Sequence, residues 1–140
     1  MLFQFTTTTS GYIDVERSDQ MPIFTNVVND CVGSRAPRGA PAGLSTFWID
    51  AALNEFRPHL TDSNGSAMFS GNASYLELVD RLVEARFDYD PPDSDIVERL
   101  PLREVIELLE AWRTEVIRLD PEAIKRVPPP RPPIALGPPS

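Results

Sequence analysis

The chain has 140 residues, with 15 prolines, one cysteine, one histidine and a formal net charge of −8. A chain of about 150 residues buries roughly 68–70% of its unfolded surface, so this length predicts one domain with a core that needs no staples. The lone Cys31 excludes an internal disulfide framework, and no run approaches the roughly 20 apolar residues of a membrane span. The opening MLFQFTTTT lacks a basic segment and a continuous apolar one, which predicts no signal peptide and a cytoplasmic address.

The charge is localised. Residues 62–110 hold twelve acids against four arginines, which accounts for the whole net charge, and elsewhere the signs cancel. Nucleic acid and anionic membrane surfaces are disfavoured as partners, because both require the opposite sign. A basic protein partner fits the sign.

In chain order, Leu2, Phe3 and Phe5 and then Tyr12, Ile13 and Val15 form two β-type runs around the Ser10-Gly11 turn signal. Met21–Val28 reads as a third extended stretch, with Pro22 at a strand start or edge. Residues 33–43 carry three glycines and two prolines and predict a loop. Leu44–Arg57 predicts a helix capped by Ser45 or Thr46 and stopped by Pro58, with Trp48, Ile49, Ala52, Leu53 and Phe56 on one apolar stripe. His59 follows it as a surface or capping residue with no acidic orienter or nucleophile evident nearby.

Thr61–Ser74 is polar and small, with turn dipeptides at Asn64-Gly65 and Gly71-Asn72. Tyr75–Tyr89 satisfies two periods. As a helix it aligns Glu77, Asp80, Arg81, Glu84 and Asp88, whereas as strands it alternates Val83, Ala85, Phe87 and Tyr89 with polar residues. A hairpin turning at Asp80-Arg81 is preferred, because aromatic residues suit a pleated face and Pro91-Pro92 ends it. Leu102–Leu119 predicts a second helix, with Pro101 in its first turn, Trp112 as a core anchor, and Arg103–Glu107 and Glu110–Arg113 paired outside. From Val127 seven prolines in fourteen residues predict a disordered polyproline tail, residues 127–140, beyond a globular domain of residues 1–126.

Chemistry concentrates at Asp88-Tyr89-Asp90-Pro91-Pro92-Asp93-Ser94-Asp95 and the following Glu98. A calcium loop counted from Asp88 would need glycine sixth and glutamate twelfth, where this chain has Asp93 and Arg99. No metal is therefore expected. Acid–base catalysis by paired carboxylates needs a desolvated cleft rather than a proline-bearing acidic loop. Phosphate-binding, nucleophile-elbow, zinc and dinucleotide signatures are absent, so no enzyme and no cofactor are expected. Two readings remain for this run: a solvated loop that keeps the protein in solution, or a partner-binding surface of Asp88, Tyr89, Asp90, Asp93, Asp95 and Glu98, with Tyr75 and Trp48 as further anchors if exposed.

The segments Gly71–Leu78 and Leu100–Trp112 resemble small acidic immunity proteins of bacterial polymorphic toxin systems, the resemblance covering residues 71–117. It implies a small sheet followed by a leucine-rich helix ending in tryptophan. It also implies stoichiometric binding to a cognate toxin whose active site or substrate path is occluded, without a cofactor, and it transfers no residue roles. The expected fold is α+β: one mostly antiparallel sheet with the helices at Leu44–Arg57 and Leu102–Leu119 packed on one face. The expected function is toxin neutralisation through a basic cleft of the partner. The alternative is a cytosolic adaptor or secretion chaperone that binds through its proline-rich tail. Oligomeric state is left open.

Overall fold

A computed structural model of the chain describes residues 3–62, 65–91 and 93–130. Leu2, Asn64, Pro92 and the tail beyond Pro130, all used in the sequence reading, lie outside the described residues. Those residues form a mixed α+β domain with three helices and two antiparallel sheets. No helix among them is long and apolar enough to cross a membrane.

The first two runs pair as expected. Strands β1 (Phe5–Thr7) and β2 (Ile13–Val15) form a two-stranded sheet with Phe5 opposite Val15. An isolated hairpin is marginal in water, and three side chains anchor this one. Ile13 donates its N–H to Ser34 Oγ (2.8 Å), and its carbonyl accepts from Trp112 Nε1 (2.9 Å). Asn29 closes the edge at Val15, accepting its N–H at 2.9 Å and donating to its carbonyl at 2.8 Å.

The third stretch is not extended. Pro22–Cys31 is helix α1, with Pro22 in its first turn. Local β-branched character at Ile23, Val27 and Val28 misleads here. The buried residues Phe24, Val27, Val28 and Cys31 recur at i, i+3, i+4 and i+7, and burial of that face outweighs strand propensity.

Helix α2 (Phe47–Phe56) buries Ile49, Ala52, Leu53 and Phe56, but Trp48 lies outside that stripe. Ser45 Oγ accepts the Phe47 N–H (3.1 Å), and Thr46 Oγ1 donates to Asp50 (2.9 Å). Pro58 does not end the helical run: a 3-10 turn continues over Arg57–Leu60. His59 there stands 3.8 Å from the Asp62 carboxylate, so it does have an acidic neighbour.

The larger sheet runs β3 (Met68–Ser70), β4 (Ser74–Val79), β5 (Leu82–Phe87), β6 (Glu98–Pro101), all antiparallel. The preferred hairpin is present, with Val79 opposite Leu82 and the turn at Asp80-Arg81. Both turn residues have positive φ, 50° and 71°, the backbone of a two-residue hairpin loop. Arg81 holds it in place, its guanidinium donating to the carbonyls of His59 and Leu60. β3 and β6 were absent from the sequence reading. With three and four residues, neither is long enough to display a period.

One face of this sheet carries Leu76, Leu78, Val83, Ala85 and Leu100, all buried. Helix α1 lies across β4 and β5, while α2 packs chiefly on α3 (Leu102–Leu119). The expected α+β class holds, with α2 touching β3 and α3 touching β5 and β6, while the centre of the sheet is covered by α1, a helix where the sequence predicts an extended stretch. Neither expected outer pair on α3, Arg103–Glu107 or Glu110–Arg113, is among the ion pairs of the described residues. Glu110 pairs with Arg57 (3.2 Å) in the 3-10 turn that follows α2, and Arg113 with Asp50 (2.7 Å) in α2 itself. Pro101 ends β6 and caps α3 from outside its first turn. Past Asp120 a second 3-10 turn, Pro121–Lys125, leads to Arg126, whose guanidinium binds Asp120 and the Leu44 carbonyl.

Trp112 is the anchor expected of it, fully buried and stacked on Phe5 at 6.3 Å. Trp112→Phe keeps most of the ring but leaves the Ile13 carbonyl without its donor, and should cost about 1–3 kcal/mol. Trp112→Ala should cost about 3–5 kcal/mol. Urea unfolding followed by circular dichroism measures both.

Candidate functional site

Strand β5 ends at Phe87, and the acidic segment follows as a pinned loop. The Asp88 N–H donates to the Ala73 carbonyl (2.9 Å), Asp90 N–H to Phe87 O (3.2 Å) and Ser94 N–H to Pro91 O (2.9 Å). Arg86 reaches the loop from the sheet and donates to the Ser94 carbonyl (3.3 Å). Asp88, Asp93 and Asp95 are exposed, and Asp90 is half-buried. Among the described residues none of the four forms an ion pair. Asp90 Oδ2 is buried without a hydrogen-bond partner. Tyr89 is 75% exposed, its ring stacked on Phe87 at 5.3 Å, so it is both open and held.

Glu98 does not belong with them. Its Oε1 accepts the N–H of Phe24 (2.7 Å) in the first turn of α1. A carboxylate there satisfies an orphan donor and meets the positive end of the helix dipole. Nothing local in the sequence joins residue 98 to residue 24, and the contact exists only because β6 runs beside α1. No group of three or more His, Cys, Asp or Glu among the described residues is placed to hold a metal ion.

The cationic neighbours of the loop are already engaged. Glu84, on the open face of the sheet, accepts from Arg86 Nε (3.2 Å) and Arg99 Nε (2.8 Å). Burial pushes its carboxyl upward, but the hydrogen bonds and charges of Arg99 and Arg86 outweigh that and hold it below the ordinary glutamate range. Tyr75, an expected anchor, is half-buried on this same face, opposite Arg86.

The loop adjoins a second acidic feature that sequence reading missed. A cleft of about 560 Å³ opens at the C-terminal end of α1, lined by Asp14, Asp30, Arg35, Trp48 and Gly71 among others. Asp30 Oδ2 accepts from the Ala73 N–H (3.0 Å) and from Ser74 Oγ (2.6 Å). Ala73 therefore stands between Asp30 and Asp88 and joins cleft to loop. Asp14 alternates with the buried Ile13 and Val15, which turns it to the cleft. Burial raises its carboxyl above the usual aspartate range, and the Arg35 charge opposes that only in part. Arg35 itself lies 4.5 Å over the Tyr12 ring.

Cys31 also lines the cleft but is a core residue, its thiol 3.4 Å from the Ser74 carbonyl. Burial is the main cause pushing the thiol up to about 11, with Asp30 and Asp88 adding to it, so it is not a nucleophile at neutral pH. Gly71 presses against the end of α1: a Cβ there would come within 2.7 Å of the Asp30 carbonyl and of Cys31 Cα.

No family model, curated protein or solved structure matches the chain.

Two substitutions separate the structural acids from the free ones. Glu98→Ala should cost about 1 kcal/mol by uncapping α1, whereas Asp93→Ala should stay within about 0.5 kcal/mol. Glu84, with its carboxyl held low, contributes stability that is present above the ordinary glutamate range and lost as pH falls through its folded value. Urea midpoints measured from neutral to acid pH should therefore show a shallower decline for Glu84→Gln than for the unaltered chain.

Proposed function

We propose that this protein is a binding protein that neutralises a cognate toxin by seating its acidic loop in a basic cleft of that partner. The observation that carries the reading is a loop with a held backbone whose four carboxylates form no ion pair among the described residues, placed beside a held and exposed Tyr89. A loop whose backbone is already held loses less entropy on meeting a cationic surface than a free segment would. Their field speeds encounter, and steered associations reach about 10⁸–10⁹ M⁻¹s⁻¹ at low salt. An exposed aromatic ring next to them supplies the apolar anchor that charge alone lacks. Occlusion needs no chemistry of the protein's own, consistent with a site made of acceptors and one ring.

The test uses the tagged full chain, a triple Asp88→Lys, Asp93→Lys, Asp95→Lys variant and a deletion of residues 127–140. Each is passed over lysate of the native host, and retained proteins are identified by mass spectrometry. A basic protein bearing a toxin domain should be retained by the full chain and by the deletion, but not by the triple variant. With that partner purified, the triple variant should associate at least about tenfold more slowly, and the salt dependence of the rate should flatten. Retention by the triple variant and loss by the deletion would instead place affinity in the proline-rich tail and make the protein an adaptor.

A further inference from the structure

We infer that the cleft at the C-terminal end of α1 is a receptor for one arginine side chain of a protein partner. The inference rests on the reading of this molecule as a partner-binding domain, and it names one contact of that partner outside the acidic loop.

The sign of the cleft comes first. Asp14 and Asp30 line it, and the carbonyl end of α1 adds the negative pole of the helix. Asp88 lies just beyond Ala73. Arg35 is the one cation among the lining residues described, and its guanidinium is placed over Tyr12. An anion entering here would meet two carboxylates, and an apolar group would desolvate them without recompense.

The free acceptors come next. Asn29 uses its amide oxygen and nitrogen on Val15, and Ser34 Oγ holds the Ile13 N–H. Asp30 commits Oδ2 to Ala73 and Ser74 and keeps Oδ1. The Asp14 carboxylate, near enough to feel the Arg35 charge, accepts no hydrogen bond among the described residues. Two carboxylates with open acceptor positions therefore share one cleft.

The wall then selects between cations. Trp48 lines the cleft, is 39% exposed, and meets the Phe47 ring nearly at right angles with 4.9 Å between centroids. A guanidinium is flat and weakly hydrated, stacks on an indole and bridges carboxylates with several N–H donors, whereas an ammonium is a strongly hydrated point charge. The volume of about 560 Å³ accommodates an arginine side chain.

The test titrates N-acetyl-arginine N-methylamide into the ¹⁵N-labelled full chain and follows amide and indole resonances. The Trp48 indole N–H should shift saturably, while that of Trp112, buried and bonded to Ile13, stays still. The neutral citrulline analogue should produce no saturable shift, and the lysine analogue should bind several-fold more weakly. Asp14→Asn should weaken arginine binding about tenfold, and Glu107→Gln, on the exposed face of α3, should leave it unchanged. If Asp14→Asn fails to fold, Trp48→Leu serves, with the Arg35 amide as reporter and a several-fold loss expected.

An equal response to citrulline, equal affinity for lysine, or no shift at Trp48 would overturn the inference. Tighter binding of free L-arginine than of the blocked residue would overturn the partner side chain as its source. Arginine binding by a chain that captures no toxin would uphold the cleft and sink the toxin reading. Toxin capture without arginine binding would do the reverse.

Discussion

Most of this structure depends on how the outer edge of β2 is satisfied. A two-stranded sheet exposes peptide groups that ordinarily seek a third strand. Here Ser34, Asn29 and Trp112 take that place, each from a different part of the chain. Each neutral hydrogen bond adds about 1 kcal/mol net, but leaving any of them unmade would strand a buried group at greater cost. The result ties the N-terminal hairpin to the end of α1, to the following loop and to the middle of α3. The direction of Asp14 follows from this, because a strand held by Ile13 and Val15 must turn the residue between them the other way.

The carboxylates of this acidic chain divide into two populations. Glu84, Glu98, Asp50 and Asp120 each hold a cation or a backbone donor that the fold needs held. Asp88, Asp93 and Asp95 hold none and stand in solvent, where mutual repulsion is screened over about 10 Å at moderate salt. The arginines show the same economy. Arg86 joins Glu84 to the acidic loop, and Arg81 ties a hairpin turn to a 3-10 turn.

How far the sequence discloses this depends on the range of the interaction concerned. The hairpin of β4 and β5 was legible because alternation, a two-residue turn and a proline stop all lie between Tyr75 and Pro91. Helix α3 was legible because eighteen residues repeat one period. Helix α1 was misread because ten residues rich in β-branched side chains carry both signals, and only tertiary burial separates them. The acidic loop could be read as composition, but the role of Glu98 could not, since the N–H that donates to it is 74 residues away. Asp14 and Asp30 gave no signal at all. Their meeting requires α1 to be a helix and β2 to be docked on it, and neither fact is local.

Gly71 bears on a different question, the kinship of chains whose resemblance has worn away. Its backbone lies so close to Asp30 and Cys31 that no side chain fits without moving α1 away from the β3–β4 turn. A surface loop ordinarily drifts freely, so this position is conspicuous for being sterically closed. Any diverged descendant that keeps the same seat between helix and turn must keep glycine there, with a side chain able to bridge both peptide groups at the place of Asn29 and an indole donor at that of Trp112. Three such fixed points, spaced 41 or more residues apart, form a sparse fingerprint by which distant kin can be sought when overall similarity no longer serves.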